Sequence, residues 1–366
     1  MSIIKKYSKF FQLGAGFVLA GAGLYIFFGK SGEGEDAVLP SLMRELSNTS
    51  IAAIAICAIL SIVTLWLRAL RWHIMLPENE AGAHKRGLFP IVTIAFMVNN
   101  ILPARLGEAA RVVLLWKRNG FPVATSIGSL ILERLLDVMV YASFFFIPVF
   151  LSPQIAAKLQ SEVHPAAMLV AAGAAAGFAA AAGLLFLYVL KPQWWRSAAG
   201  KFGGRLPSKI SSKGASIGSQ LQSNLDWAFS KRKVIKVTFL SYAVGFCYSA
   251  ILFVLASQWK TFGILESMFG QAFASFGSAI PLAPGFVGTL HAALKMGLTL
   301  TGIDPGKAMA MAVLYHALPY VVTVAAGLFF LFSLNIKFKD ITQKPVNEPQ
   351  NVNPEAQARG QAENPE

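Results

Sequence analysis

Along most of this chain, apolar residues run in stretches close to 20 long, broken by short polar segments. A helix of about 20 apolar residues crosses the ~30 Å hydrocarbon core of a bilayer. The pattern predicts six spanning helices, over 10–28, 51–70, 127–151, 166–190, 234–256 and 306–333. Two further apolar regions, 88–118 and 264–301, are broken at their middle by Pro and Gly. They predict helical hairpins rather than single spans. Past residue 340 the apolar positions give way to Pro, Asn, Gln and Glu, a composition that cannot bury enough surface to fold. The expected fold class is all-α: a polytopic membrane domain over 1–339 and a disordered tail over 340–366.

Composition agrees with a membrane protein. Only 14% of the 366 residues are charged, against roughly 25% in a soluble domain. The net charge of +14 would suit nucleic acid, but the basic residues sit in short loops between apolar runs. That distribution marks cytoplasmic loops, so no nucleic-acid partner is expected. Lys5, Lys6 and Lys9 precede a first apolar run too long for a signal peptide, which predicts a retained helix and a cytoplasmic N-terminus. Arg68, Arg71, Lys85 and Arg86 read as a cytoplasmic loop after the second helix. Lys117 and Arg118, the basic segment 191–233 with Trp194 and Trp195, and Lys337 with Lys339 read the same way, which also makes the C-terminus cytoplasmic. These assignments require 88–118 to enter and leave from the cytoplasm and 264–301 from the other side. The halves 10–151 and 166–333 then form an inverted-topology repeat with two oppositely oriented re-entrant hairpins, an architecture of secondary transporters.

Charges also occur where none are expected. Arg105, Glu108, Arg111, Glu133, Arg134 and Asp137 fall within 99–137, among apolar runs. An ionised side chain at the centre of a membrane helix costs about 2.5–3.5 kcal/mol on insertion scales, so these groups need partners, water or a ligand. Pro103 suits the start of a half-helix, whose free N–H groups favour anions. Arg105 then lies two residues into it, and Glu108 and Arg111 are spaced to pair at i, i+3. The candidate function is an anion site, most naturally for a phosphate head group, with Asn100 beside it. The alternative is a set of ion pairs that holds the hairpin shut. Glu133 and Asp137 share a face at i, i+4. They can neutralise the hairpin arginines, or carry protons if a neighbour raises one pKa. In the second hairpin, Gln271, Ser275 and Ser278 form a polar stripe, and Pro284, Gly285 and Gly288 break the chain. His291 and Lys295 are spaced as i, i+4 partners, and His316 with Tyr315 and Tyr320 lies in the last helix. Cys57 and Cys247 lie in apolar runs without metal-ligand or disulfide spacing. With no GxSxG, HExxH or P-loop motif, neither an enzyme nor a cofactor nor a metal site is expected.

The stretch N-x-LPARLGE-x-x-R at 100–111, followed by LERLLD at 132–137, resembles the transmembrane domain of lysylphosphatidylglycerol synthases, a family also called flippase-like. PLAPGFVGTLHAAL at 281–294 resembles that family's second signature, with Phe286 where a Gly is usual and His291 where a Glu is usual. Hairpin tips then fall at Pro103 and Gly107 and at Pro284, Gly285 and Gly288. No counterpart of the soluble aminoacyl-transferase domain is legible. The resemblance therefore implies a flippase of the bacterial inner membrane, moving an anionic or phosphate-bearing phospholipid or a polyprenyl phosphate. Two alternatives stand beside it: a membrane partner of an envelope lipid-modifying enzyme, and an intramembrane enzyme acting on a lipid phosphate. Whether the chain forms a homo-oligomer is left open.

Overall fold

The computed structural model describes residues 38–78, 82–102, 105–162, 230–257, 259, 262–279 and 284–336. The expected spans over 10–28 and 166–190, the tail over 340–366 and the tip residue Pro103 lie outside the described residues. Among the described residues the secondary structure is helical, without strands. The helices are α1 (Val38–Asn48), α2 (Ile51–Met75), α3 (Leu88–Ile101), α4 (Leu106–Asn119), α5 (Val123–Leu151), α6 (Pro153–Glu162), α7 (Lys231–Leu255), α8 (Ile264–Ala279), α9 (Thr289–Leu300) and α10 (Pro305–Ser333). Four of them, α2, α5, α7 and α10, are long and apolar enough to cross a membrane. Their boundaries follow local chemistry. Ser50 caps α2 by accepting from the Ala53 N–H at 3.1 Å. Asp304 caps α10 through Gly306 and Lys307, with Pro305 at the first helical position.

Both broken apolar regions fold as helix–break–helix pairs, α3 with α4 and α8 with α9. Three boundaries differ from expectation, and the first two matter for the site. α2 runs on to Met75, so Arg68 and Arg71 lie inside it and are buried, not in a loop. α5 begins at Val123 and not at residue 127, which places Glu133 and Asp137 about three to four turns in. Lys231, Arg232 and Lys233 form the first turn of α7 instead of ending a loop.

The packing pairs up across the two halves. α2 and α7 lie along each other at the centre. Around them, α3 packs on α10 and α8 packs on α5, so the first arm of each hairpin rests on the last helix of the other half. The contacts α2–α3 and α7–α8 match in the same way, as do α4–α5 and α9–α10. Two apolar clusters sit between these layers. One gathers Ile251, Leu252, Leu294, Leu298 and Met311. The other gathers Trp72, Ile91, Ile94, Leu114 and Leu115. Large apolar side chains such as Ile59, Phe239, Phe329 and Phe332 face outward, as lipid-facing positions must.

The first hairpin closes on Gly107. A Cβ there would run into the Ala95 carbonyl and lie 2.5 Å from Asn99 Oδ1. The same Asn99 Oδ1 accepts the Gly107 N–H at 2.7 Å, satisfying one of the free donors at the start of α4. Gly107→Ala should therefore destabilise the protein by at least the ~1–3 kcal/mol of an overpacked core site. Ala109→Leu, on the exposed side of the same helix, should melt near wild type in detergent. Equal melting temperatures for the two variants would refute this account of the hairpin.

Candidate functional site

Glu133 anchors the site. It has no exposed surface, so its charge must be met inside the protein. Arg111 of α4 meets it at 2.9 Å, Arg134 at 2.9 Å, Arg71 at 3.2 Å and Arg68 at 3.7 Å. One turn on, Asp137 pairs with Arg71 at 2.6 Å and with Arg68 and Arg134 at 3.5 Å. Glu108 meets Arg105 at 3.6 Å and Arg134 at 3.8 Å, which joins all eight groups in one network. Arg71 also donates to Ser241 of α7 at 3.0 Å. Arg111 lies 3.8 Å above the Trp72 ring, whose indole N–H donates to Ser129. These contacts lock α2, α4, α5 and α7 in register.

The network forms one wall of a cavity of about 300 Å³. Arg68, Arg105, Arg134, Glu108 and Asp137 line that wall. Arg68 is 4% exposed, and its guanidinium lies 4.8 Å from the Phe96 ring and 5.7 Å from the Tyr248 ring. Its Nε and Nη1 have no hydrogen-bond acceptor among the described residues, and neither do Nε of Arg105 and Nε of Arg134. The cavity opens outward beside Arg134, which is 36% exposed, and beside Phe276 and Ala279, whose exposed apolar surfaces form the rim.

The two hairpin tips meet at this cavity. Arg105 is the N-cap of α4, held at φ 52° in the left-handed region. Its Nη2 donates to the Ser278 carbonyl at 2.6 Å, at the C-terminal turn of α8. Such last-turn carbonyls lack helical partners and carry partial negative charge. From the other tip, Gly285 (φ 60°) comes so close that a Cβ would sit 2.7 Å from the Asn100 carbonyl. Phe286, also at positive φ (61°), places its ring 5.5 Å from the Arg105 guanidinium. The backbone there favours Gly, so Phe286 is held at a cost of about 1–2 kcal/mol.

The opposite wall is uncharged. Gln271 Nε2 donates to Ser275, Ser275 and Ser278 hydroxyls donate back to helix carbonyls, and the Tyr315 hydroxyl donates to Gln271 Oε1. Gly288 N–H donates to His291 Nδ1 at 3.3 Å, so the other ring nitrogen, Nε2, carries the proton and faces His316 Nδ1 at 2.9 Å. Two imidazoles thus satisfy each other at the return arm. A second cavity, of about 420 Å³, lies at the C-terminal end of α2, lined among others by Glu78, Lys85 and Lys233. Two of its amines are already engaged: Lys85 with the His73 and Leu76 carbonyls, Lys233 with Glu78. It carries no comparable set of open donors.

Asn100, Arg105, Glu108, Arg134, Asp137, Gln271 and Ser275 all line the cavity, while Arg111 and Glu133 stand behind its wall. Arg105 precedes α4 instead of lying within it. Glu108 and Arg111 do not pair with each other; they turn to Arg105 and Glu133 respectively. His291 pairs with His316 and not with Lys295. Pro284 and Gly285 form a short 3-10 turn, and Gly288 caps α9. Sequence reasoning missed Arg68, Arg71, Asn99, Tyr141 and Tyr248. The i, i+3 spacing of Arg68 and Arg71 on one face of an apolar helix was the available signal for the first two.

The family model described as the lysylphosphatidylglycerol synthase TM region matches residues 13–327. A UPF0104 membrane protein of Methanocaldococcus jannaschii is 25% identical over 262 residues, covering 69% of this chain and 98% of its own. The glycosyltransferase AglD of Haloferax volcanii is 25% identical over 314 residues, 80% of this chain but 50% of AglD. A UPF0104 membrane protein of Methanothermobacter thermautotrophicus is 22% identical over 341 residues, 88% of this chain and 96% of its own. No solved structure matches the chain.

The network's geometry makes a stability prediction. Glu133→Gln leaves Arg71 and Arg111 buried without their shared carboxylate, and should cost about 3–5 kcal/mol. Arg111→Met combined with Glu133→Leu should lose less than Glu133→Gln alone, because the charge and its partner leave together. Thermal unfolding in lipid nanodiscs measures both. A double variant less stable than the single one would show that the pair is not the stabilising contact.

Proposed function

The chain belongs to the lysylphosphatidylglycerol synthase TM region family, and from that premise we propose that it is a lipid translocator holding an anionic head group between its two hairpin tips. One observation carries the reading: a wall of ion-paired arginines faces a cavity with an exposed apolar rim, and Arg68, Arg105 and Arg134 each keep a buried N–H there without a hydrogen-bond acceptor among the described residues. Guanidinium matches phosphate oxygens bidentately, while the rim suits acyl chains. Arg68, Arg105 and Arg134 hold the head group, Glu108 and Asp137 keep those arginines oriented, and Gln271 and Ser275 face it from the second half.

The matched packing of the two halves supports an inverted repeat in which both hairpins are re-entrant. Rocking one half against the other would part the Arg105–Ser278 and Asn100–Gly285 contacts and open the site to alternate leaflets. On this reading the protein sits in the inner membrane with both termini cytoplasmic, and it carries lipid without transforming it. The similarity to half the length of a glycosyltransferase favours a second reading, in which such a domain serves a membrane-bound enzyme.

Two measurements test the proposal. In proteoliposomes, the wild-type protein should move an acyl-labelled fluorescent phospholipid, tested as phosphatidic acid and as phosphatidylglycerol, between leaflets faster than empty liposomes do for at least one of the two head groups. Arg105→Lys should assemble and melt normally yet lose about tenfold or more of that rate, since Lys lacks the planar fork. Equal rates with and without protein would sink the reading. For topology, cysteines placed at the exposed positions Lys117 and Pro305 should react with an impermeant reagent from the cytoplasm and from the outside respectively. Reaction of both from one side would exclude the inverted repeat.

A further inference from the structure

The charge balance of the site narrows the head group. Five arginines, Arg68, Arg71, Arg105, Arg111 and Arg134, share one ion-pair network with only three carboxylates, Glu108, Glu133 and Asp137. Among the described residues, two positive charges are left over. Guanidinium does not deprotonate in proteins, so the excess is not relieved by loss of protons. At the surface, water and salt would screen it; here Arg71, Arg111 and Arg68 are at most 4% exposed.

The open donors give a second, independent constraint. Arg68, Arg105 and Arg134, which converge on the cavity from α2, the α4 cap and α5, each keep a buried N–H without an acceptor. Both features ask for a ligand with two negative charges and acceptor oxygens on three sides. A phosphodiester offers one charge and two unesterified oxygens. A phosphomonoester carries close to two charges above its second pKa of about 6 and offers three unesterified oxygens. We infer that the translocated lipid ends in a phosphomonoester, and that the diester phospholipids of the bulk membrane are poor ligands. This inference rests on the proposed lipid site and makes it selective: the abundant diesters would pass the cavity without filling it.

Equilibrium binding to the full chain in nanodiscs at pH 8 tests it, with three lipids of identical acyl chains: phosphatidic acid, phosphatidylglycerol and phosphatidylcholine. Phosphatidic acid should bind at least about tenfold more tightly than phosphatidylglycerol, the factor expected when charge-assisted bonds are added. Equal binding of the two anionic lipids, both above phosphatidylcholine, would overturn the monoester assignment and leave an unselective anionic-lipid site. No preference over phosphatidylcholine would overturn the lipid site itself. Inorganic phosphate at equal concentration should not displace phosphatidic acid; displacement would assign the site to a soluble phosphate. Arg134→Gln supplies the charge test, because this side chain is the most exposed of the five and its loss is least harmful to folding. It should shrink the ratio of phosphatidic acid to phosphatidylglycerol affinity toward one. A general folding defect would weaken both lipids together and leave the ratio intact, which would refute the charge argument.

Discussion

Everything near the centre of this protein depends on compensating Glu133. A carboxylate with no exposed surface in an apolar helix cannot remain ionised unless cations are brought to it. Arg71 comes from α2, Arg111 from α4 and Arg134 from its own helix α5. Arg71 then reaches Asp137 and the Ser241 hydroxyl of α7. Four helices are therefore fixed by groups with few acceptable alternatives. Well-packed apolar residues could join the same helices at least as stably, since desolvation offsets most of the gain from a buried ion pair. Stability alone does not account for the network. Its surplus of arginines does something apolar packing cannot: it keeps a net positive wall inside a membrane protein while every arginine in it still touches a carboxylate.

That wall becomes a site because the hairpin tips converge on it. The free carbonyls at the end of α8 attract the Arg105 guanidinium, and Asn99 supplies an acceptor to the start of α4. The first hairpin thus supplies groups to two helix ends, one on each hairpin, that would otherwise keep unsatisfied backbone. Arg105 and Phe286 occupy left-handed backbone that ordinary side chains avoid, and both face the cavity. Strained residues persist only where their surroundings over-determine them, and they concentrate at ligand sites and moving parts. The second hairpin, where a carboxylate would have demanded another cation, instead closes on two mutually bonded imidazoles. Among the described residues that line the cavity, the carboxylates Glu108 and Asp137 therefore both stay on the arginine wall.

Much of this was legible in the chain. Apolar length alone marked α2, α5, α7 and α10, because a membrane solvent demands continuous helices of that length. Pro and Gly in mid-run marked the breaks between α3 and α4 and between α8 and α9. Six of the eight charges within 99–137 marked the site, because charge amid apolar sequence requires compensation wherever it occurs. Such constraints act along the chain and can be read along it. The partners of those charges could not. Arg68 and Arg71 look like the basic end of a span, and hydropathy cannot distinguish an arginine that snorkels to water from one that reaches a carboxylate on a neighbouring helix. Glu108 and Arg111 have the spacing of a pair, yet Glu108 pairs with the N-cap of its own helix, Arg105, and Arg111 reaches Glu133 across a helix interface. His291 and His316 meet only because α9 packs on α10. The sequence by itself determined which groups had to be compensated; the tertiary structure decided by which groups, because Coulomb attraction and hydrogen bonding depend on distance in space and not on separation along the chain.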